Sequence, residues 1–502
     1  MDKEREFNSS LKLIAKSSFI VFIGLFFSKI LSYIYRIIIA REFGPEAYGL
    51  FSLAIMLSGW VGVIAAFGLS DGLLRYISVL RGSKENNKIN YLFRRSFFFL
   101  FFTGLIGGVL LFISSSFIAN NIFREPELKL FLQLFSIAMP FDIAVVAFMS
   151  PLRAYEKIGW RSFISNILVN VLNLGFILLF IASGLGIVSI PLSYTVGIFF
   201  VFLTAVFVLK KQVPEIFKKS DYKGKNLFRN VLSYSWPLIF AEIIWRIFKW
   251  TDSFFIGYFE TVADVGFYNA AFPIALLLTF SSDLFMQMFV PLINKEYSKN
   301  NIEVVKNLSQ QVGKWLFFTN LPILILLFLF PEGFLNILFG KEFIVAADSL
   351  RILTIGVLFL SFGGVSTRLL GMLGKSKKIL FDVTATAIIN LILNILLIPK
   401  YGITGAAVAT SFSFIVLSLI LIIQVYMETK IIPIRRKNLN ILIAVIISSS
   451  VLLLVKPLIA ITPLSLILLS IFFLAFYTLL VFIFKGFDRN DFMIFRTFLR
   501  KG

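Results

Sequence analysis

Apolar blocks of about 18 to 26 residues follow one another along almost the whole chain, and short stretches between them carry the charge. Few folds accept such a pattern. The hydrocarbon core of a bilayer is about 30 Å thick and takes roughly 20 residues of α-helix, so each block is long enough to cross it. Inside that core only helices and closed barrels satisfy their own backbone hydrogen bonds. The alternation over about 10 residues that marks a barrel strand is absent. The expected fold class is therefore an all-α membrane protein. The blocks place spans at 17–40, 48–70, 96–118, 130–150, 163–182, 187–209, 232–256, 266–291, 313–331, 349–371, 379–398, 404–427, 439–456 and 463–484, about 14 transmembrane helices. The seventh and tenth carry charges and are the least uniform.

Composition narrows the chemistry. Of 502 residues, 58% are hydrophobic, where a soluble domain is nearer half. Sixty-one Phe suit a lipid-facing surface. Cysteine and histidine are both absent. Thiolate metal sites and cysteine nucleophiles are thereby excluded, and the commonest metal ligand, general base and pH switch are missing. No GxxxxGK[ST] phosphate loop is present, so no built-in ATPase is expected. We expect no metal, no cofactor and no enzyme activity.

The net charge of +21 is not distributed as a nucleic-acid binder's would be. With the N-terminus placed inside, 37 of the 48 Lys and Arg fall in inner segments and 7 in outer ones. That asymmetry follows the positive-inside rule and puts both termini in the cytoplasm of a multi-pass cell-membrane protein. The run from Ser17 to Ala40 is too long for the core of a cleaved signal and reads as the first helix.

The chain also repeats. Glu46-Ala47-Tyr48-Gly49-Leu50-Phe51 after the first helix matches Ala263-Asp264-Val265-Gly266-Phe267-Tyr268 after the seventh. The fifth helix carries Asn170 and Asn173, and the eleventh Asn390 and Asn394. A repeat of six helices keeps orientation, giving two parallel lobes about an axis along the membrane normal. The expected division is an N-lobe (1–209), a basic cytoplasmic linker (210–231), a C-lobe (232–427), and helices 13 and 14 with a cytoplasmic tail (428–502).

Charge at mid-membrane is costly, at least about 2.5 kcal/mol on insertion scales, and usually faces a cavity or a partner. Helix 1 carries Lys29 and Arg36, seven residues apart and so on one face, with Tyr33 alongside. Helix 7 carries Glu242, Arg246, Lys249 and Asp252. Glu242 and Arg246 have the spacing of an i,i+4 ion pair. The preferred reading is a central cleft lined by Lys29, Arg36, Arg246 and Lys249 that holds a phosphate or diphosphate, which Arg meets as a fork and Lys as a point charge. Asp142, Asp252, Asp283 and Glu242 are candidates for ion coupling; pairing with neighbouring cations is the plainer alternative.

The segment Ser28-Lys29-Ile30-Leu31-Ser32-Tyr33, the run Ala40-Arg41-Glu42-Phe43-Gly44-Pro45-Glu46-Ala47-Tyr48-Gly49, and Asn390-Leu391-Ile392-Leu393-Asn394 followed by Ile398-Pro399-Lys400-Tyr401-Gly402-Ile403-Thr404-Gly405 form a series. In this order the chain resembles the polysaccharide-transporter branch of the multidrug/oligosaccharidyl-lipid/polysaccharide exporter superfamily, the Wzx-like flippases. The resemblance implies two six-helix lobes around a cation-lined cavity, two trailing helices, alternating access, and a polyprenyl-diphosphate-linked oligosaccharide as cargo. Drug-exporting relatives tend to line the first lobe with a functional acid; Lys29 and Arg36 stand here instead, which favours an anionic cargo. The expected function is a flippase carrying that lipid-linked oligosaccharide from the cytoplasmic to the outer leaflet for cell-surface glycan synthesis. Membrane lipids and glycan-assembly proteins are its expected partners, it has no nucleic-acid partner, and it works as a monomer. The rivals are an ion-coupled multidrug exporter, a membrane-embedded glycan polymerase or ligase, and a non-transporting scaffold. A longest loop of about 25 residues counts against the enzyme.

Overall fold

The computed structural model describes the backbone of residues 2–487 except Lys223, Lys225, Ile434, Arg436 and residues 459–461, and side chains from Gly24 onward except those of Leu25, Ala241 and Met288. The tail expected beyond helix 14 lies outside the described residues from Asp488 on. The chain forms two compact units, Met1–Gly266 and Phe267–Gly502. No strand occurs among the described residues.

The first unit holds α1 (Asp2–Ala66), α2 (Leu69–Gly82), α3 (Asn86–Phe117), α4 (Leu128–Ala154), α5 (Ile158–Ser162), α6 (Val169–Ala182), α7 (Ser189–Gln212) and α8 (Asn226–Phe259); the division falls inside α9 (Val262–Ala275). The second holds α10 (Leu277–Ser298), α11 (Ile302–Leu329), α12 (Pro331–Leu338), α13 (Ala347–Met372), α14 (Ser376–Thr429), α15 (Lys437–Val455) and α16 (Pro463–Ile483).

Among the described residues, twelve segments are long and apolar enough to cross a membrane, and two of them, 57 and 54 residues long, are far longer than one crossing needs. Each is bent at a glycine. Gly44 has φ 80° and ψ −178°, directly before Pro45, and Gly402 has φ 54° and ψ −137°. A side chain with a Cβ rarely tolerates such angles, so a glycine is what lets the helix turn there. Each bent segment covers two of the expected spans, and the count of about 14 follows.

The first unit is cemented by aromatic rings. Phe93, Phe97, Phe148 and Phe202 of α3, α4 and α7 meet edge to face or stacked, at 5.5 to 6.5 Å between centroids. Phe therefore fills the interior as well as the lipid-facing surface. The basic segment after α7 docks on the start of α3: Arg94 donates to the Phe217 carbonyl (3.2 Å), Ser220 to the Asn87 carbonyl (2.5 Å), and Phe217 packs on Phe93. Gly49 and Gly266, which hold matching places in the two repeats read from the sequence, meet within this unit, Gly49 against the Val262 carbonyl and Gly266 against that of Pro45.

In the second unit α15 and α16 pack on α11 through Leu321, Ile441, Phe473 and Tyr477, whose hydroxyl donates to the Phe318 carbonyl (3.1 Å). Across the bend of α14, Asn390 donates to Thr410 (3.1 Å), and within the first limb Asn394 donates to Asn390 (3.1 Å), all three buried.

Candidate functional site

Arg36 and Tyr48 are 12 residues apart, about 18 Å along a straight helix. Arg36 Nη1 nevertheless donates to Tyr48 Oη at 3.0 Å, because the bend at Gly44 returns the second limb of α1 towards the first. Tyr48 is fully buried. The first limb is held at two further points: Tyr35 shares a hydrogen bond with Ser193 of α7 (3.0 Å), and Asn170 of α6 donates to Ser28 (3.1 Å). Lys29 follows Ser28 directly, so its helix face is fixed by that bond.

The other cations come from α8, which packs against α1 and α2. The Arg246 guanidinium rests on Gly59 of α1, where a Cβ would stand 2.9 Å from its Nη1. Lys249 lies within electrostatic range of Arg36, Lys29 and Arg246. The four cations singled out from the sequence are thus gathered in one unit. Lys249 and Arg246 stay exposed and Lys29 and Arg36 half-buried, so the cluster is open to a ligand rather than sealed in the core.

The acids divide. Asp142 of α4 feels the charge of Arg246, and its own charge reaches Tyr194 of α7. Asp142 therefore borders the cation cluster. Asp252 is buried on α8, one turn beyond Lys249 in the sequence. Asp283 lies on α10 in the second unit and has interactions of its own. The expected ion pair of Glu242 with Arg246 does not form among the described residues. Glu242 is exposed, and an i,i+4 pair in that setting adds only about 0.2–0.5 kcal/mol. Arg246 turns to Gly59 and the field of Asp142 instead.

Two cations of the site escaped the sequence reading. Arg153 and Arg161, counted there as loop charges, line a pocket of about 250 Å³ together with Ser70, Asp142, Met149 and Ser150. Arg153 stands 3.5 Å from Asp71, while Arg161 has no ion pair among the described residues. A signal existed. Asp142 and Arg153 are eleven residues apart, about three helical turns, so α4 presents both on one face.

Electrostatics of this kind favours an anion. Lys29, Arg36, Arg246 and Lys249 gather in the first unit with Asp142 beside Arg246, and the pocket that Asp142 shares with Arg153 and Arg161 adds two more cations.

The sequence matches the family described as "polysaccharide biosynthesis protein" over residues 14–296 and the MatE family over residues 237–396. A protein of Haloferax volcanii named "probable low-salt glycan biosynthesis flippase Agl15" is 26% identical over 407 residues, covering 80% of this chain and 81% of that one. A Shigella flexneri protein named "putative O-antigen transporter" is 26% identical over 397 residues, covering 76% of this chain and 90% of its own. The fold is similar to that of lipid II flippase MurJ in an inward closed conformation, with a TM-score of 0.75 at 19% identity over 94% of this chain and 99% of that one.

Proposed function

The chain belongs to the polysaccharide biosynthesis protein family, and from that premise we propose that it is a flippase for a lipid-linked glycan, whose diphosphate is held by Lys29, Arg36, Arg246 and Lys249. The single observation that carries this reading is the convergence of Arg36, Lys29 and Arg246 on Lys249. Like charges gathered in an apolar setting repel one another, and an anionic ligand offsets that repulsion. The names of the two relatives, a glycan flippase and an O-antigen transporter, support the same cargo class.

In this reading the polyprenyl-diphosphate-linked oligosaccharide enters from the cytoplasmic leaflet of the cell membrane, where Arg153 and Arg161 meet its phosphates first. The cations deeper in the helices then take it up, and rocking of two lobes, divided at the linker 210–231, releases it to the outer leaflet. Both termini lie in the cytoplasm and the chain acts as a monomer. A cationic site that moves relative to the membrane field exchanges about 2.3 kcal/mol per charge per 100 mV, so the membrane potential is a natural drive. Asp142, beside Arg246, would restore neutrality when the cargo has left, and Asp252, Asp283 and Glu242 are further candidates for ion coupling.

The experiment is a binding measurement on the purified protein in nanodiscs, with a short polyprenyl diphosphate oligosaccharide and the uncharged polyprenol as probes. The diphosphate probe binds, its affinity falls with added salt, and Lys29→Gln with Arg246→Gln weakens it at least about tenfold. Equal binding of both probes, or no effect of the double substitution, overturns the reading.

A further inference from the structure

Asp382 and Gln424 stand opposite each other on the two limbs of α14, both inside its terminal turns, and Asp382 is 4% exposed. Gln424 Nε2 donates to Asp382 Oδ1 at 3.0 Å. Two atoms remain: Asp382 Oδ2 and Gln424 Oε1 are both buried, and neither has a hydrogen-bond partner among the described residues.

An ionised carboxylate and an amide oxygen can only accept, so these two atoms cannot satisfy each other. Turning the amide over does not help, because it would set Oε1 against Oδ1, acceptor against acceptor. One proton on Asp382 Oδ2 resolves both faults. Oδ2–H then donates to Oε1 while Nε2–H donates to Oδ1, closing a cyclic acid–amide pair with every polar atom used. A metal ion fits poorly by comparison, since hard cations such as Ca²⁺ take about 6–8 oxygen ligands and only two free acceptors are present.

The surroundings agree. One turn towards the helix ends, Lys378 Nζ donates to Glu428 Oε1 at 2.7 Å, and Lys375 stands 3.4 Å from the same carboxylate. Lys378 is four residues before Asp382 and Glu428 four after Gln424, so the ion pair and the acid–amide pair are successive rungs of one ladder. Lys378 acts on Asp382 electrostatically, but its hydrogen bond goes to Glu428. On α13, which packs along α14, Arg368 is exposed. Burial disfavours an ionised carboxylate at Asp382, and the hydrogen bond of Lys378 is spent on Glu428.

We propose that Asp382 and Gln424 form a proton-binding site, with Asp382 neutral and hydrogen-bonded to the amide at neutral pH. The proton fastens the two limbs of α14 together near their free ends. Its release leaves a carboxylate for which Lys378 is the nearest cation, and this links proton occupancy to the Lys378–Glu428 bond. The inference stands on hydrogen-bond arithmetic within one unit and is independent of the cargo assigned above.

Infrared spectroscopy of the purified full chain at neutral pH tests it. Wild type minus Asp382→Asn should show one carbonyl band of a protonated carboxylic acid. Gln424→Met, which keeps the acid but removes its partner, should shift that band. A difference spectrum containing only carboxylate bands overturns the proposal. Should Asp382→Asn fail to fold, Gln424→Met decides alone: a shifted acid band supports the pair, and an unchanged spectrum overturns it.

Discussion

Gly49 and Gly266 meet through reciprocal close approaches: a Cβ on Gly49 would run into the Val262 carbonyl, and one on Gly266 into the Pro45 carbonyl. The two segments are the ones that the sequence sets in register as repeats, so two copies of one motif use the same small residue to touch each other. Alanine at either position forces backbones apart, and overpacking of this kind costs about 1–3 kcal/mol. We expect Gly49→Ala and Gly266→Ala each to lower the thermal unfolding temperature in detergent. The double variant should lose less than the sum, because both changes strain one contact. Wild-type stability in both single variants would show that the backbones can part freely.

Tyr48 orients Arg36. Its phenol accepts from the guanidinium, and a hydrogen bond to a charged group contributes about 1.5–3 kcal/mol. Tyr48→Phe keeps the buried ring and removes the acceptor. The expected result is weaker binding of a diphosphate lipid, several-fold, in a chain that still purifies as a folded species. Unchanged binding would remove Arg36 from the ligand site.

Gly59 makes room for Arg246, whose Nη1 would be 2.9 Å from a Cβ there. Gly59→Ala should therefore act through Arg246. Transport should fall in Gly59→Ala and in Arg246→Gln, and the combination should be little worse than Arg246→Gln alone. Additive losses in that double-mutant cycle would mean that the two residues act separately.

Glu125 supplies a pH test away from the membrane spans. Its carboxyl is raised above the ordinary range by burial first, and then by the like charges of Glu46 and Glu127. The folded state thus holds this proton more tightly than the unfolded one, and ionised Glu125 weakens the fold above that raised value. The penalty is relieved as pH falls through the folded value and is gone below the ordinary one. Glu125→Gln should stabilise the protein near neutral pH by less than about 1 kcal/mol at this partly exposed site, and should match wild type in acid. A larger advantage in acid than at neutral pH would contradict the assignment.

Helix positions were legible because a 20-residue apolar block has one use in a bilayer, and even the doubled segments α1 and α14 were separable at Gly44 and Gly402. That Lys29, Arg36, Arg246 and Lys249 lie near one another was legible for the same reason, since charge inside such a block demands company; what they bind is the proposal above. Pairings were harder to read. Spacing suggested Glu242 for Arg246, whereas the approach of α1 and α4 decided where that guanidinium went. Arg153 and Arg161 looked like loop charges because they sit at helix ends, and only the packing of α4 and α5 turns them to the pocket with Asp142. Asp382 and Gln424 are 42 residues apart on limbs joined by a bend, a distance at which no periodicity signals contact.

The central claim is that a cluster of cations carries a lipid-linked anion across the bilayer. It is tested most directly in proteoliposomes, by following the movement of a fluorescent polyprenyl-diphosphate oligosaccharide between leaflets for wild type, Lys29→Gln/Arg246→Gln, and Asp142→Asn. The account predicts movement with wild type and its loss in the double variant at equal protein incorporation, with Asp142→Asn retaining more activity than the double variant. Undiminished movement in the double variant would contradict it.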